Sequence, residues 1–310
     1  MDIKELKIIS EYIDEPVSNI TEIHGGHINK TFLVTAKDKY VLQCLNYDLY
    51  SEYTDILTDN YLSYKNACDM VSDTDNWNCP EWLMAKNGQF FYCDDNNIFR
   101  MYRYIKGNDL SGKDTNPYYI GEGLGKIHRI LKNCNNIKPV HPYLYNLDYY
   151  YKQYIGLKNT VNPRIDYCDK IISDKITDML LIKDNETGII HGDAKTGNMI
   201  INDKKVIGFI DLDTLMPGSP LNDMADCMRS CCSDKKYDLI NEKSNSFLNG
   251  YYAGSGYNLS DDRIRLLHQF YLRNRFILGL RYYTDYLKGN IYFKENNPGD
   301  NLIKAKMLLM

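Results

Sequence analysis

The chain has 310 residues with a formal net charge of -4, and 44% of its residues are hydrophobic while 25% are charged. This composition is ordinary for a folded globular protein, and the length favours two lobes over one small core. The acidic balance argues against a nucleic-acid partner, which calls for a basic face, so we expect none.

The N-terminal segment has the pattern of a helix followed by strands. Residues 3–13 repeat apolar side chains at helical spacing, and residues 20–45 have the pattern of three successive antiparallel strands. The first turn between these strands contains Gly25 and Gly26. Because glycines have no Cβ, their amides could approach a phosphate group, although a plain hairpin turn is the alternative.

Polar residues in and after this turn are candidate ligand contacts. Asn29 and Thr31 follow the turn directly, and we expect both to contact a nucleotide. His27 lies within the turn. We expect His27 to contact the acceptor substrate, with a solvated turn residue as the alternative.

The segments after the strands alternate between helix and strand patterns. Residues 51–72 have helical spacing, and residues 90–92 and 98–105 predict a strand pair that ends at a glycine loop. Residues 118–132 predict a helix that contains Gly121, Gly123 and Gly125. Since each glycine in a helix costs about 1 kcal/mol against alanine, we expect these three to lie at close packing contacts.

The middle of the chain gives the weakest pattern. Residues 139–165 contain three prolines and many tyrosines, and we expect them to help shape an acceptor pocket. Residues 165–184 return to helical spacing and lead into the stretch that carries the chemistry.

That stretch covers residues 189–226. Short apolar runs end at polar residues: Asp193 is followed five residues later by Asn198, and Asp211 closes the next strand, with Asp213 two residues on. Phosphoryl transfer needs a carboxylate that orients the attacking hydroxyl and hard oxygen ligands for Mg2+. We therefore expect Asp193 to act as the base, and Asn198, Asp211 and Asp213 to hold the metal.

The order of these residues resembles a known family. The string His-Gly-Asp-x-x-x-x-Asn at residues 191–198, followed by Ile-Asp-Leu-Asp at 210–213, is similar to the aminoglycoside phosphotransferase and choline kinase superfamily. The longer string through Met216-Pro217-Gly218 resembles its N-acetylhexosamine 1-kinase branch. The resemblance implies an α+β, two-lobed protein-kinase-like fold, with a small β-rich N-terminal lobe and a larger, mainly helical C-terminal lobe. ATP and Mg2+ would bind between these lobes.

The resemblance also assigns residues to the nucleotide site. It places the lobe boundary near residue 103, giving lobes at 1–103 and 104–310, and it brings Tyr102, Tyr104 and Ile105 to the adenine. Kinases carry a Lys on the third strand that pairs with the phosphates, and Gln43 stands at that position here. A neutral amide cannot supply this charge. We expect Lys195, two residues after Asp193, to supply it on the γ-phosphate side.

The C-terminal region predicts acceptor contacts. Residues 261–288 have the pattern of two helices, and the segment Leu-Arg-Tyr-Tyr-Thr-Asp-Tyr-Leu after residue 279 resembles a characteristic segment of the N-acetylhexosamine 1-kinases. That likeness implies that Arg281 and Tyr292 line a sugar pocket. It also implies that His128, in a Leu-Gly-x-x-His helix, is structural.

The sequence thus predicts an ATP-dependent kinase that phosphorylates the anomeric hydroxyl of a sugar, an N-acetylhexosamine by resemblance. Two alternatives stay open: an aminoglycoside or choline-type phosphotransferase, and an ATP-binding pseudokinase that acts as an interaction module. The nine scattered cysteines contain no Cys-x-x-Cys pair, which is typical of reduced cytosolic thiols. With no apolar run near the ~20 residues of a membrane span, we expect a cytoplasmic monomer or weak dimer with no membrane contact.

Overall fold

The computed structural model describes residues 3–23, 29–71, 77–109, 116–158 and 166–310. Its N-terminal part is built on a 5-stranded antiparallel sheet with the strand order β1-β2-β3-β5-β4. The strands are β1 (Asn19–Ile23), β2 (Lys30–Thr35), β3 (Lys39–Leu45), β4 (Phe91–Asp94) and β5 (Asn97–Arg103). The three predicted N-terminal strands and the predicted strand pair are therefore confirmed.

Helices flank this sheet and form most of the C-terminal part. Those of the N-terminal part are α1 (Ile3–Ile9), α2 (Tyr47–Tyr50) and α3 (Thr54–Val71). Those of the C-terminal part are α4 (Pro117–Leu131), α5 (Leu147–Lys158), α6 (Asp166–Leu181), α7 (Pro220–Cys231), α8 (Asn241–Ser255), α9 (Asp261–Leu287) and α10 (Asp300–Leu309). The architecture is the predicted α+β, kinase-like fold.

Short strands carry the stretch from residue 188 to residue 218. They are β7 (Gly188–Ile190), β8 (Met199–Asn202), β9 (Lys205–Phe209) and β10 (Met216–Gly218), and β6 (Asn108–Asp109) pairs with β8. Strands β8 and β9 form an antiparallel hairpin, while β7 pairs antiparallel with β10. The pairing of β7 with β10 encloses residues 191–215, so all the predicted catalytic and metal-binding residues lie in one loop with joined ends.

Helices α4 and α8 approach each other through glycines. A Cβ on Gly121 would overlap the carbonyl oxygen of Phe247, and one on Gly250 would overlap the carbonyl oxygen of Tyr118. The backbones are therefore in direct contact, as the glycine spacing of α4 predicts. The main hydrophobic core runs from β3 and α3 through these helices to the 191–215 loop, so the two lobes share one core.

One sequence prediction for the C-terminal part was wrong in detail. Residues 261–288 form one continuous helix, α9, and not two. The helix continues through Gly279, where the side chains of Leu308 and Leu309 on α10 pack against it and bury that side. Residues 147–158, within the segment with the weakest pattern, form α5. None of the helices in the described ranges is long and apolar enough to cross a membrane.

Candidate active site

Three predicted residues meet at the start of the 191–215 loop. The Asp193 carboxylate oxygen Oδ2 accepts a hydrogen bond from Lys195 Nζ at 2.6 Å and another from Asn198 Nδ2 at 2.9 Å. A short 3-10 turn over Thr196–Asn198 brings Asn198 back to Asp193, and its Nδ2 also donates to the Asp193 carbonyl oxygen at 2.8 Å. Within the described residues the second oxygen, Oδ1, has no hydrogen-bond donor, so it can accept from a ligand.

Charge on these groups is set by their mutual contact. Burial favours the neutral acid, but the Lys195 ammonium outweighs burial, so the pKa of Asp193 is lowered from its ordinary value. Burial likewise opposes the charge of Lys195, and the Asp193 carboxylate outweighs it, which raises the pKa of Lys195. Asp193 is therefore an ionised acceptor at neutral pH, suited to orienting a hydroxyl group.

A buried carboxylate on α7 holds the backbone of this loop. Asp223 accepts hydrogen bonds from the backbone N–H of His191 at 2.7 Å and of Gly192 at 2.9 Å. Its Oδ2 also lies 3.0 Å from His128 Nε2, on α4. Gly192 has φ 84, and a Cβ there would overlap the carbonyl oxygen of Thr214. The structure gives His128 the structural position that the sequence predicts. Ser219 caps the N-terminus of α7, which leaves Asp223 to the loop.

Asp211 has the surroundings of a cation ligand. Its backbone is in the left-handed region, and no described residue donates a hydrogen bond or forms an ion pair with its carboxylate. Burial and the nearby carboxylates of Asp213 and Asp193 raise the pKa of Asp211 to about 7. The Asn198 carbonyl oxygen accepts from the Ile210 N–H at 2.9 Å, which places Asn198 beside the residue that precedes Asp211.

These residues fit a magnesium ion that keeps water and phosphate oxygens in its shell. The described part of the chain has no group of three or more His, Cys, Asp and Glu side chains that could hold a metal by itself. One amide oxygen on Asn198 and the unpaired carboxylate of Asp211 match the few protein ligands that Mg2+ takes beside a nucleotide. The metal-binding roles of both residues stay predictions.

Asp213 differs from Asp211 because its carboxylate is already paired. Arg100 on β5 contacts both oxygens of Asp213, at 2.5 Å from Nη1 and 3.0 Å from Nη2. The same guanidinium donates to Gln43 Oε1 from Nε at 3.1 Å and from Nη2 at 2.6 Å. No local pattern in the sequence predicts this contact, and the predicted metal role of Asp213 is taken up again below.

A small cavity lies next to this ion pair and is lined by two of the residues that were predicted to contact the nucleotide. Its lining includes Gln43, Tyr102 and Asp211, with Arg100 and Trp82 between the sheet and the loop. Tyr102, predicted near the adenine, is buried here. The nucleotide-binding roles of Gln43 and Tyr102 stay predictions, and the cavity places both beside the turn that begins at Asp211.

The other predicted nucleotide contacts are spread along the sheet edge. Thr31 pairs with Gln43 in the β2–β3 ladder, and Asn29 Oδ1 accepts from the Asn46 N–H at 3.2 Å. Tyr104 is exposed and Ile105 half-buried, both after the end of β5. Their roles stay predictions. Gly25, Gly26 and His27 lie outside the described residues.

The predicted acceptor residues Arg281 and Tyr292 meet at the end of α9. The Arg281 guanidinium lies 5.8 Å from the ring centre of Tyr292, 5.2 Å from that of Tyr150 and 5.6 Å from that of Phe293. Asp285 accepts the backbone N–H groups of residues 292 and 293, both at 2.8 Å, and so fixes these two rings. No described carboxylate pairs with Arg281, so its charge faces an aromatic cluster.

A tyrosine–histidine pair lies within electrostatic reach of both this cluster and the 191–215 loop. The Tyr50 hydroxyl lies 3.3 Å from His141 Nε2, and the two rings pack edge to face. Burial raises the pKa of Tyr50, and the charge of Asp213 and of Asp211 raises it further. Burial lowers the pKa of His141, which also feels the charges of Asp213 and Arg281. Neither Tyr50 nor His141 was a sequence candidate, because both lie in segments without a motif.

The family of the chain follows from a match over residues 19–266, a range that contains the whole catalytic loop. This range fits the model of the phosphotransferase enzyme family known as APH. The chain belongs to this family. Its place in the aminoglycoside phosphotransferase and choline kinase superfamily, predicted from the motif, is thereby confirmed, and the protein is a phosphotransferase by family.

Several solved structures share the fold of this chain at low sequence identity. An amicoumacin kinase, determined with AMP-PNP and Ca2+, has a TM-score of 0.68 and 14% identity, with 99% of this chain and 92% of that chain covered. A microcompartment-associated aminopropanol kinase has a TM-score of 0.67 and 14% identity, covering 99% and 95%. Spectinomycin phosphotransferase, with ADP and spectinomycin, has a TM-score of 0.63 and 14% identity, covering 99% and 94%. These matches support the phosphotransferase fold of the chain.

Proposed function

We propose that this phosphotransferase is an ATP-dependent kinase that phosphorylates the anomeric hydroxyl of a sugar, with an N-acetylhexosamine as the acceptor. The observation that carries the phosphoryl-transfer part is the Asp193 carboxylate, which Lys195 and Asn198 hold by Oδ2 while Oδ1 stays open to a ligand. Solved relatives of the same fold bind AMP-PNP or ADP, which supports a nucleotide as the phosphate donor.

The reaction would use the residues of the 191–215 loop in defined roles. Asp193 Oδ1 accepts the hydrogen bond of the sugar hydroxyl and takes its proton as the hydroxyl oxygen bonds to the γ-phosphorus. The bond to the bridging oxygen breaks, and ADP leaves. Asn198 and Asp211 would hold Mg2+, which supplies charge neutralisation at the phosphoryl oxygens when bound. Lys195 adds positive charge on the same side.

A carboxylate with a low pKa suits an anomeric acceptor. The anomeric hydroxyl is more acidic than an ordinary alcohol, so its proton can pass to a weak base as the bond to phosphorus forms. The lowered pKa of Asp193, caused by Lys195 against the effect of burial, makes this residue such a base.

The surroundings of Arg281 support an uncharged or oxygen-rich acceptor over an aminoglycoside. Aromatic rings bind the apolar face of a sugar, and a guanidinium donates to hydroxyl and carbonyl oxygens. Aminoglycosides are polycations, so an Arg without a carboxylate partner would repel them. An N-acetyl carbonyl would accept from Arg281 while the sugar ring lies against Tyr150 or Tyr292.

The test is an acceptor panel with labelled ATP and Mg2+. We expect labelled product with N-acetylglucosamine or N-acetylgalactosamine, and NMR should locate the phosphate on the anomeric oxygen. Glucose, galactose, kanamycin, spectinomycin, choline and aminopropanol are the comparison acceptors. Transfer to an amino-sugar antibiotic or amino alcohol but to no reducing sugar would overturn the sugar assignment.

The pseudokinase alternative is tested in the same assay. If the protein binds ATP but transfers phosphate to none of these acceptors, the interaction-module alternative gains support. Asp193→Asn separates the outcomes: we expect it to bind ATP like the wild type and to lose turnover by about a thousandfold or more. Asp203→Asn, in the exposed turn between β8 and β9, is the matched control.

A further inference from the structure

A buried ion pair joins the five-stranded sheet to the loop that carries the chemistry. Arg100 and Asp213 are 2% and 1% exposed, and they are separated by 113 positions in the sequence. Arg100 lies in the middle of β5, opposite Gln43 on β3, so both central strands contribute to the contact. Asp213 lies in the 3-10 turn that directly follows Asp211.

We propose that Arg100 is a positioning residue that fixes the turn of Asp211 beneath the sheet, and that Asp213 is its anchor and not a metal ligand. This assignment rests on the proposed function, since the residue whose position matters is the candidate metal ligand Asp211. It replaces the sequence-based prediction that Asp213 binds Mg2+.

The hydrogen bonds of the guanidinium leave little capacity for another role. Arg100 has five N–H donors, and four hydrogen bonds to Asp213 and Gln43 use four of them. The planar fork matches the two oxygens of Asp213, a geometry that Lys cannot reproduce. Gln43 fills the position of the usual third-strand Lys, and its amide oxygen here orients the Arg of the next strand.

The aromatic contacts of Arg100 hold its side chain in one place. Its guanidinium lies 4.5 Å from the ring centre of Trp82. Trp82 in turn stacks on Tyr61 of α3, with ring centres 4.1 Å apart and an angle of 4° between the planes. A continuous set of contacts therefore runs from α3 through Trp82 and Arg100 to Asp213.

The positive charge of Arg100 also affects the electrostatics of the candidate metal site. Asp211 lies close enough to Asp213 and Asp193 to feel the charge of both carboxylates. Arg100 neutralises Asp213 and leaves Asp211 as the carboxylate of this turn without a partner among the described residues. If both Asp211 and Asp213 were free, their repulsion would displace the turn before any cation bound.

The first test measures the metal-free protein. Hydrogen–deuterium exchange at the Leu215 amide, which donates to the Leu212 carbonyl oxygen at 3.2 Å, reports on the turn. We expect Arg100→Met and Asp213→Asn each to speed this exchange tenfold or more, while amides within α7 keep their wild-type rates. Lys86→Met, which removes an exposed ion pair with Asp14 in the same lobe, is the control. It should change neither the exchange of the Leu215 amide nor that of the α7 amides.

The second test measures binding of a non-hydrolysable ATP analogue with and without Mg2+. We expect Arg100→Met and Asp213→Asn each to reduce the gain in affinity from Mg2+ at least tenfold and to leave Mg2+-free affinity within twofold of wild type. The double variant should equal the worse single variant, because both substitutions remove one contact. Arg100→Lys should recover part of the gain in affinity that Mg2+ gives, since Lys keeps the positive charge but cannot contact both oxygens of Asp213 in the way the guanidinium does.

The outcomes separate the possible assignments. If Asp213→Asn abolishes the Mg2+ gain but leaves exchange of the metal-free turn unchanged, Asp213 is a metal ligand and the proposal fails. It also fails if Arg100→Met alters neither measurement. Should Arg100→Met not fold, the Arg100→Met/Asp213→Asn variant, which buries no unpaired charge, decides both measurements.

The proposed function and the anchoring role of Arg100 can be tested separately. A wild type that phosphorylates no sugar would overturn the acceptor assignment, while accelerated exchange in the two variants would still support the anchoring role. A wild type with no Mg2+-dependent nucleotide binding would overturn the kinase proposal, and exchange of the metal-free turn would then decide the role of Arg100.

Discussion

The carboxylate of Asp223 lies 2.7 Å from the backbone nitrogen of His191, across 32 positions of sequence. We expect Asp223→Asn to lower kcat about a hundredfold and the free energy of unfolding by about 3 kcal/mol, because an amide cannot accept at both positions and leaves a buried N–H unpaired. Kinetics and urea unfolding measure the two effects. Asp261→Asn, in the exposed first turn of α9, should change neither. Wild-type kcat in Asp223→Asn would contradict a positioning role.

Lys195 contacts the Asp193 carboxylate at 2.6 Å. We expect Lys195→Ala to lower kcat about a hundredfold or more with little change in the KM for the acceptor. The positive charge of Lys195 would act mainly in the transition state, on the phosphoryl group that is being transferred. Steady-state kinetics with varied ATP and acceptor measure this. Lys205→Ala, on the exposed side of β9, is the control. Near-normal turnover in Lys195→Ala would remove Lys195 from the mechanism.

Arg281 has aromatic neighbours and no carboxylate partner among the described residues. We expect Arg281→Gln to raise the KM for an N-acetylated sugar at least tenfold while the KM for ATP stays the same, because the lost contacts concern the acceptor alone. Arg265→Gln, an exposed substitution on the same helix, is the control. A selective increase in the KM for ATP would place Arg281 on the nucleotide side.

The contact of α4 with α8 leaves no room for a side chain. We expect Gly250→Ala to lower the free energy of unfolding by about 3 kcal/mol, since its Cβ would overlap the carbonyl oxygen of Tyr118. Gly156 on α5 has open space within 4 Å of the place that a Cβ would take, so Gly156→Ala should raise stability by up to about 1 kcal/mol. Urea unfolding of both variants tests this, and equal effects would contradict the close contact.

One buried and one half-buried histidine make the stability of the fold depend on pH below neutrality. Burial lowers the pKa of both His191 and His141 below the ordinary value. As pH falls below about 6.5, the unfolded chain takes up protons that the folded chain does not bind, so the free energy of unfolding decreases. We expect His141→Gln to flatten this decrease between about pH 7 and 5. Unfolding by urea at a series of pH values measures it.

Local sequence signals predicted the features that depend on local chemistry. Apolar runs before Asp193 and Asp211, and another that begins directly after Asn198, indicated the loop residues, because strand ends and turns are set by neighbours in sequence. The glycines of α4 indicated a close contact, which the structure locates on α8. The family strings predicted that Arg281 and Tyr292 line one pocket, and the structure places the Arg281 guanidinium 5.8 Å from the ring centre of Tyr292.

Contacts between distant segments had no such signal. Asp223 lies in the first turn of α7, where acidic residues are common, and only the folded chain brings it to His191. Arg100 is one of two charged residues in β5, and nothing in the sequence relates it to Asp213. The sequence predicted two helices where the structure has the single helix α9. The packing of α9 against α10 around Gly279 is a tertiary contact, which a local pattern cannot show.

The pairing of β7 with β10 closes the active-site segment at its base. Three residue pairs join the two ends, while Asp223 holds the backbone at His191 and Arg100 holds Asp213, so the segment can open only when these contacts are lost together. Opening would then be cooperative, with one free energy for the entire segment in place of separate values for each residue. A ligand that binds anywhere in this segment would therefore slow proteolysis and amide exchange throughout it, by the same factor at every site.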